Sequence, residues 1–175
     1  LGGNPNKGFK PWLKKELEKR GFIVESPPMP NTNDPKLSGW VGHLSRMVGK
    51  PDKDCYFIGH SLGCITILKY LESLKENEMV GGAVLVAGFS VDLGDKYKVI
   101  ARFTEKPVNW NMVMSHCKKF VAIHSDNDPA VPMIHGKMME EKLGAKLIIE
   151  HNMEHFSSAP KLQSALDAVL EMAGK

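Results

Sequence analysis

Tyr56-Phe57-Ile58-Gly59-His60-Ser61-Leu62-Gly63-Cys64-Ile65-Thr66-Ile67-Leu68 is the stretch whose reading decides the fold. A G-x-S-x-G pentapeptide, Gly59 to Gly63, stands between two apolar runs. That pattern carries chemistry only where a buried strand turns sharply into a helix. The flanks read that way, with Tyr56-Phe57-Ile58 as the strand and Cys64 to Leu68 as the start of the helix. Glycines at both ends allow a turn tight enough to hold the serine in a strained conformation, its hydroxyl exposed at the end of the sheet. Ser61 is therefore the candidate nucleophile.

Working outward, the elbow helix should run to about Leu74. Ala83 to Ala87, Phe120 to His124 and Leu147-Ile148-Ile149 are further apolar runs of strand length, and Phe22-Ile23-Val24 reads as a short buried strand near the start. Between them lie helical patterns. Pro11 opens a helix with Trp12, Leu13 and Leu17 on one face, stopped by Gly21. Leu37, Trp40, Val41, Leu44, Met47 and Val48 recur at helical spacing before Gly49 and Pro51. Pro132 begins a helix that Gly144 closes, and Leu162, Ala165, Leu166, Val169 and Leu170 mark the last. Ser26 to Pro35 holds four prolines and is a loop, while Gly88 to Lys118 has no clear period apart from a short helix expected over Trp110 to Met114. Strands apolar throughout and separated by amphipathic helices imply an α/β fold, a doubly wound, mainly parallel sheet covered on both faces. One domain spanning residues 1–175 is the expected organisation.

Composition narrows the function classes. The chain is 42% hydrophobic and 25% charged, with a formal charge of +3 and Lys and Glu interspersed, so neither nucleic acid nor a membrane surface is expected as a partner. The longest uncharged apolar stretch, Met79 to Val91, is too short to span a bilayer. Cys55, Cys64 and Cys117 are an odd set without C-x-x-C spacing, which suits small buried hydrophobes in a reducing, cytoplasmic compartment. The methionines read as flexible core fillers.

A serine hydroxyl needs an imidazole to take its proton and a carboxylate to orient that imidazole. In a doubly wound sheet these should come after later strands, in the order serine, acid, histidine. The strand ending at His124 runs into Ser125-Asp126-Asn127-Asp128-Pro129, and the strand ending at Ile149 runs toward His151-Asn152-Met153-Glu154-His155-Phe156. Two acids compete at the first site and two histidines at the second. Asp128 precedes a turn and helix start that would hold it rigidly, and His155 lies deeper in its loop than His151. No metal is expected, because His151 and His155 lie in a loop and do not make H-E-x-x-H, and His43, His60, His116, His124 and His135 are unclustered.

These residues together resemble the small single-domain serine hydrolases of the α/β-hydrolase superfamily typified by retinoblastoma-binding protein nine and its bacterial relatives. The likeness rests on Asn4-Pro5, Pro11-Trp12-Leu13, Met29-Pro30-Asn31 with Pro35 and Trp40, Gly59 to Gly63, Asp128-Pro129-Ala130-Val131-Pro132, and His155-Phe156. The resemblance implies a three-layer sandwich and a triad of Ser61, Asp128 and His155. It also implies an oxyanion hole from the Leu62 amide with a second amide near Leu1 and Gly2. Members of that family begin with a buried strand ending in His-Gly, and Leu1-Gly2-Gly3-Asn4 resembles the loop just after that strand, so a first strand is expected to be missing from this chain. The activity implied is esterase-type hydrolysis of a small ester, thioester or amide, without a cofactor. Phe89, Phe103 and Trp110 are expected to line a shallow acyl pocket. The alternative is a protein-interaction module that keeps the fold and triad but works mainly by binding a protein partner rather than by turning over a small-molecule acyl substrate.

Overall fold

In a computed structural model, residues 2–175 are described. Four strands, β1 (Tyr56–His60), β2 (Gly82–Val86), β3 (Phe120–Ser125) and β4 (Lys146–Glu150), form one sheet in the order β1-β2-β3-β4, and every neighbouring pair is parallel. Helices alternate with them: α1 (Lys10–Glu18), α2 (Leu37–Val48), α3 (Leu62–Glu72), α4 (Lys98–Ala101), α5 (Trp110–His116), α6 (Ile134–Leu143) and α7 (Gln163–Ala173).

The period-two alternation of the strands divides the core into two layers. Phe57, Ala83, Leu85, Phe120 and Ala122 join a cluster on one face with Trp40, Ile65, Leu68, Leu71, Phe103, Val113 and Met139. Their sequence neighbours Val84, Val86, Val121 and Ile123 point the other way, onto Phe9, Leu13, Leu17, Leu166, Val169 and Met172. Thus α1 and α7 cover one face, while α2, α3, α5 and α6 cover the other. This is the α/β sandwich that the apolar runs imply.

Two expectations change. Phe22-Ile23-Val24 is not a strand: Ile23 is 95% exposed, and the Phe22 N–H donates to Leu17 O, closing the end of α1 instead of joining a ladder. Phe22 still packs edge-on against Tyr56, ring centroids 6.3 Å apart. Among the described residues β1 is consequently an edge, paired only with β2 and buried at alternate positions, whereas β2 and β3 are buried throughout. The segment between β2 and α5, without a clear period in the sequence, is also more ordered than its pattern suggests. It contains a 3₁₀ turn, Asp95–Tyr97, continuing directly into α4, and buries Phe89, Phe103 and Val108 in the core.

The motif glycines are not equivalent. A Cβ on Gly59 would stand 2.8 Å from Ile67 Cδ1 and 2.9 Å from the Cys64 backbone nitrogen, so α3 can pack back on β1 only over a glycine. A Cβ on Gly63 would meet nothing within 4 Å, which corrects the expectation that both glycines are needed for the turn. Gly59→Ala is expected to cost about 1–3 kcal/mol through overpacking, lowering the thermal midpoint by on the order of 5 °C. Gly63→Ala should hold or raise it, since alanine is the better helix former. Paired thermal melts check the ranking.

His124 on β3 is fully buried, and neither ring nitrogen meets a protein hydrogen-bond partner. Burial pushes its pKa down to about 4, with neighbouring His135 and His155 acting in the same direction and Asp128 against it. An unfolded histidine titrates near 6.5, so between about 6.5 and 4 the unfolded chain binds a proton that the native ring refuses, and stability is lost as pH falls through that window. Thermal midpoints should therefore fall between pH 6.5 and 4, and His124→Leu should flatten that fall.

Candidate active site

Ser61 joins β1 to α3 with φ 53° and ψ −116°, a conformation that L-residues other than glycine rarely adopt. The turn is held at its base by the Ser61 N–H, which donates to Val86 O at 2.8 Å, and by the approach of Gly59 to Cys64 and Ile67. Strain of this kind costs on the order of 1–3 kcal/mol and persists only where the surroundings over-determine it. Leu62 comes next as the first residue of α3, so its N–H is one of the amides that a helix leaves without an internal partner.

The candidate acids and histidines, which compete in the sequence, sort into two pairs. His155 Nδ1 donates to Asp128 Oδ2 at 2.8 Å, and His155 Nε2 lies 3.0 Å from Ser61 Oγ. A carboxylate accepts only, so the proton sits on Nδ1; Nε2 of the neutral ring then accepts from the serine hydroxyl. His151 Nδ1 donates to Asp126 Oδ2 at 2.6 Å, but this second pair is exposed and does not reach the serine. Ser61, His155 and Asp128 form one hydrogen-bonded line, and Asp126 and His151 stand beside it.

The Asp128 side chain is fully buried, and the His155 side chain is 22% exposed. Burial alone would raise the Asp128 pKa, yet hydrogen bonds from His155 and from the Val131 and Ala130 amides outweigh it and hold the carboxyl below its usual range. Those amides reach Asp128 Oδ1 at 3.0 and 2.7 Å, leaving Oδ2 for the imidazole. The Pro129-Ala130-Val131-Pro132 turn is therefore what orients the acid. Asp126 is also held low, first by His151 and then by the Asn152 amide.

Several residues at the site were not legible as functional. The His60 Nε2–H donates to the carbonyl of His155 at 2.8 Å, and the two rings lie 5.0 Å apart. Burial pushes the His60 pKa down to about 4, so its ring is neutral near pH 7. Adjacent residues of the elbow thus bind the backbone and the side chain of His155. Gly8, at φ +64°, lies against the same loop, and a Cβ there would stand 2.9 Å from Ser157 O. Nothing in the G-x-S-x-G pattern distinguishes a structural from a contacting residue at the second position, and only the fold brings positions 8, 60 and 155 together.

The remaining expectations fare unevenly. The Gly2 N–H donates to Thr32 O at 3.0 Å, so it is engaged in pinning the proline loop and does not point to an oxyanion; Leu1 lies outside the described residues. Phe89 and Phe103 are sealed in the core at 1% and 0% exposure and line no open pocket, because the segment that carries them folds inward against α2 and α6. Trp110 is half-buried at the start of α5. Two open clefts flank the proline loop, one of about 580 Å³ lined by Met29, Asn31 to Asp34 and Lys36, the other of about 420 Å³ reaching Gly3 to Asn6; the triad residues line neither. Burial raises the Cys64 thiol well above its usual range and the Cys117 thiol to about 11, so neither is a thiolate near pH 7. Among the described residues no group of three or more His, Cys, Asp or Glu could hold a metal ion, and no helix is long and apolar enough to cross a membrane.

Known proteins with this architecture point the same way. Bacillus subtilis YdeN, a candidate hydrolase, is 32% identical over 146 residues, covering 83% of this chain and 76% of YdeN. The rat serine hydrolase RBBP9 is 26% identical over 152 residues, covering 86% of this chain and 79% of RBBP9. The crystal structure of YdeN superposes with a TM-score of 0.94 at 28% identity, over 100% of this chain and 95% of that one. Est1E from Butyrivibrio proteoclasticus shares the fold at a TM-score of 0.75 and 17% identity, over 100% of this chain and 86% of Est1E. The Serine hydrolase family matches residues 1–168, and with the elbow, the sheet and these relatives in agreement, the chain belongs to that family and is an enzyme of the α/β-hydrolase type.

Proposed function

We propose that this enzyme cleaves a small ester, thioester or amide through a covalent acyl-enzyme formed on Ser61, with His155 as the base and Asp128 as its orienting acid. The single observation that carries the reading is the unbroken hydrogen-bonded line from Asp128 Oδ2 through His155 to Ser61 Oγ, at 2.8 and 3.0 Å. As Ser61 Oγ attacks the carbonyl carbon, its proton passes to His155 Nε2. The resulting imidazolium is stabilised by Asp128, whose other oxygen is already taken by two amides. The carbonyl oxygen becomes an oxyanion facing the start of α3, where the Leu62 N–H supplies one donor. Collapse breaks the bond to the leaving group, which departs with the proton from His155. Water then attacks the acyl carbon as its proton passes to the same nitrogen; collapse breaks the acyl–Oγ bond, and His155 returns that proton to Ser61 Oγ as the acid leaves.

The alternative, a module that keeps the fold and triad but works mainly by binding, gains nothing from a buried carboxylate, an oriented imidazole and a strained serine held in register. Strain and desolvated charge are costly, and their joint presence favours catalysis.

Wild-type protein should be labelled by a fluorophosphonate probe and should hydrolyse p-nitrophenyl esters, with the shorter acyl chains preferred. Ser61→Ala should lose both while keeping its thermal midpoint. Asp128→Asn should lower kcat by roughly 10⁴ by favouring the wrong imidazole tautomer, and Asp126→Asn should lower it far less. Ester turnover by the Ser61→Ala protein would overturn the nucleophile assignment, and a reversed ranking of the two aspartates would overturn the acid.

A further inference from the structure

The loop that carries His155 is held in an unfavourable backbone conformation. Asn152, Glu154 and Phe156 all have positive φ, at 58°, 48° and 57°, and none is glycine. Left-handed backbone at alternate residues of one short loop does not persist unless something outside the loop imposes it.

The outside restraint acts on residues 152–154 and comes from Ser125, the last residue of β3, and the two residues after it, whereas the Phe156 N–H donates within its own loop, to Met153 O at 2.9 Å. The Asn152 N–H donates to Asp126 Oδ1 at 3.0 Å, the Met153 N–H to Ser125 Oγ at 3.0 Å, and the Glu154 N–H to Asn127 Oδ1 at 2.9 Å. Ser125 Oγ, having accepted from Met153, donates its own hydrogen to Asn127 Oδ1 at 2.8 Å. One amide oxygen therefore receives two donors, which uses both of its lone pairs and fixes which end of the Asn127 amide faces the loop. Ser125 is itself buried, at 1% exposure, so its hydroxyl has no bulk water to fall back on. Three consecutive peptide groups immediately before His155 are thus clasped by three consecutive side chains immediately before Asp128.

We infer that Asn127 is a positioning residue for His155: its Oδ1 gathers the Glu154 amide and the Ser125 hydroxyl, and so sets where the imidazole stands relative to Ser61. This rests on the reading of His155 as the base. Asn127 does not touch the reacting atoms, and its effect passes through the peptide that precedes the histidine. Without that acceptor, the Glu154 N–H loses its protein partner, the Ser125 hydroxyl turns away, and the left-handed residue just before His155 is released.

The test compares Asn127→Leu, close in size but unable to accept, with Asn127→Asp, which keeps an oxygen at the same place. Activity is counted per site titrated with a fluorophosphonate, on p-nitrophenyl acetate at pH 8, beside wild type, with Ser61→Ala at equal protein concentration as the blank. A misplaced catalytic group typically costs on the order of 10² in rate. The leucine variant should lose about that much in kcat with KM changed by no more than about twofold, and the aspartate variant should recover most of the loss. If Asn127→Leu does not fold, Asn127→Ala and Ser125→Ala, which remove the acceptor and its hydroxyl partner separately, should show the same loss in kcat. Wild-type kcat per titrated site in the leucine or alanine variants, even with a lowered thermal midpoint, would make Asn127 merely structural and overturn the inference. An aspartate variant as impaired as the leucine one would overturn it too. The underlying assignment fails by a different sign: wild-type protein that takes no label, or a Ser61→Ala protein that still turns over ester.

Discussion

Everything at the site depends on a serine that is held with left-handed backbone between a strand and a helix. Ser61 at φ 53° turns the chain from β1 into α3 within one residue, and that turn presents its hydroxyl at the carboxyl end of the sheet. Two contacts keep it there: the ladder bond from the Ser61 amide to Val86, and the packing of Ile67 and Cys64 onto a bare glycine at position 59. If α3 stood farther from β1, the serine would relax toward ordinary helix geometry and the hydroxyl would leave the line with His155.

The partners of Ser61 are assembled by the same sheet. Because β1, β2, β3 and β4 are parallel and adjacent, their carboxyl ends open on one side, and the loops after β3 and β4 lie next to each other. The consequence is two aspartate–histidine pairs side by side, Asp128 with His155 and Asp126 with His151. The buried pair reaches the serine and the exposed pair does not. Burial is what separates their chemistry, since the Asp128 carboxylate is desolvated and compensated by fixed amides while Asp126 is open to solvent. Around the buried pair, burial keeps the imidazoles of His60 and His124 neutral near pH 7, so neither adds a positive charge beside His155.

Much of this was legible in one dimension. The strands and helices announced themselves through unbroken apolar runs and helical spacing, and the elbow through its glycines, because both signals are local. Phe22-Ile23-Val24 shows the limit: three apolar residues have strand composition, but a strand exists only when a neighbour takes its hydrogen bonds, and composition carries no information about neighbours. The aromatic residues Phe89 and Phe103 failed for the related reason that an apolar side chain in an aperiodic segment can face a pocket or a core equally well.

The amino-acid sequence by itself determined that a parallel α/β sheet would form, that Ser61 would sit at its elbow, and that an acid and a histidine would come after later strands in order. The local pattern left Asp126 competing with Asp128 and His151 with His155, since each pair is separated by only a few residues on the same loop, and only the family resemblance favoured Asp128 and His155. Tertiary structure decided which acid meets which histidine, because hydrogen bonds need donors and acceptors within about 3 Å and that condition depends on how two loops, 27 residues apart at Asp128 and His155, lie against each other. It also decided the contacts of Ser125, Asn127 and His60, whose side chains hydrogen-bond to the backbone of a distant loop and therefore leave no pattern of their own in the sequence.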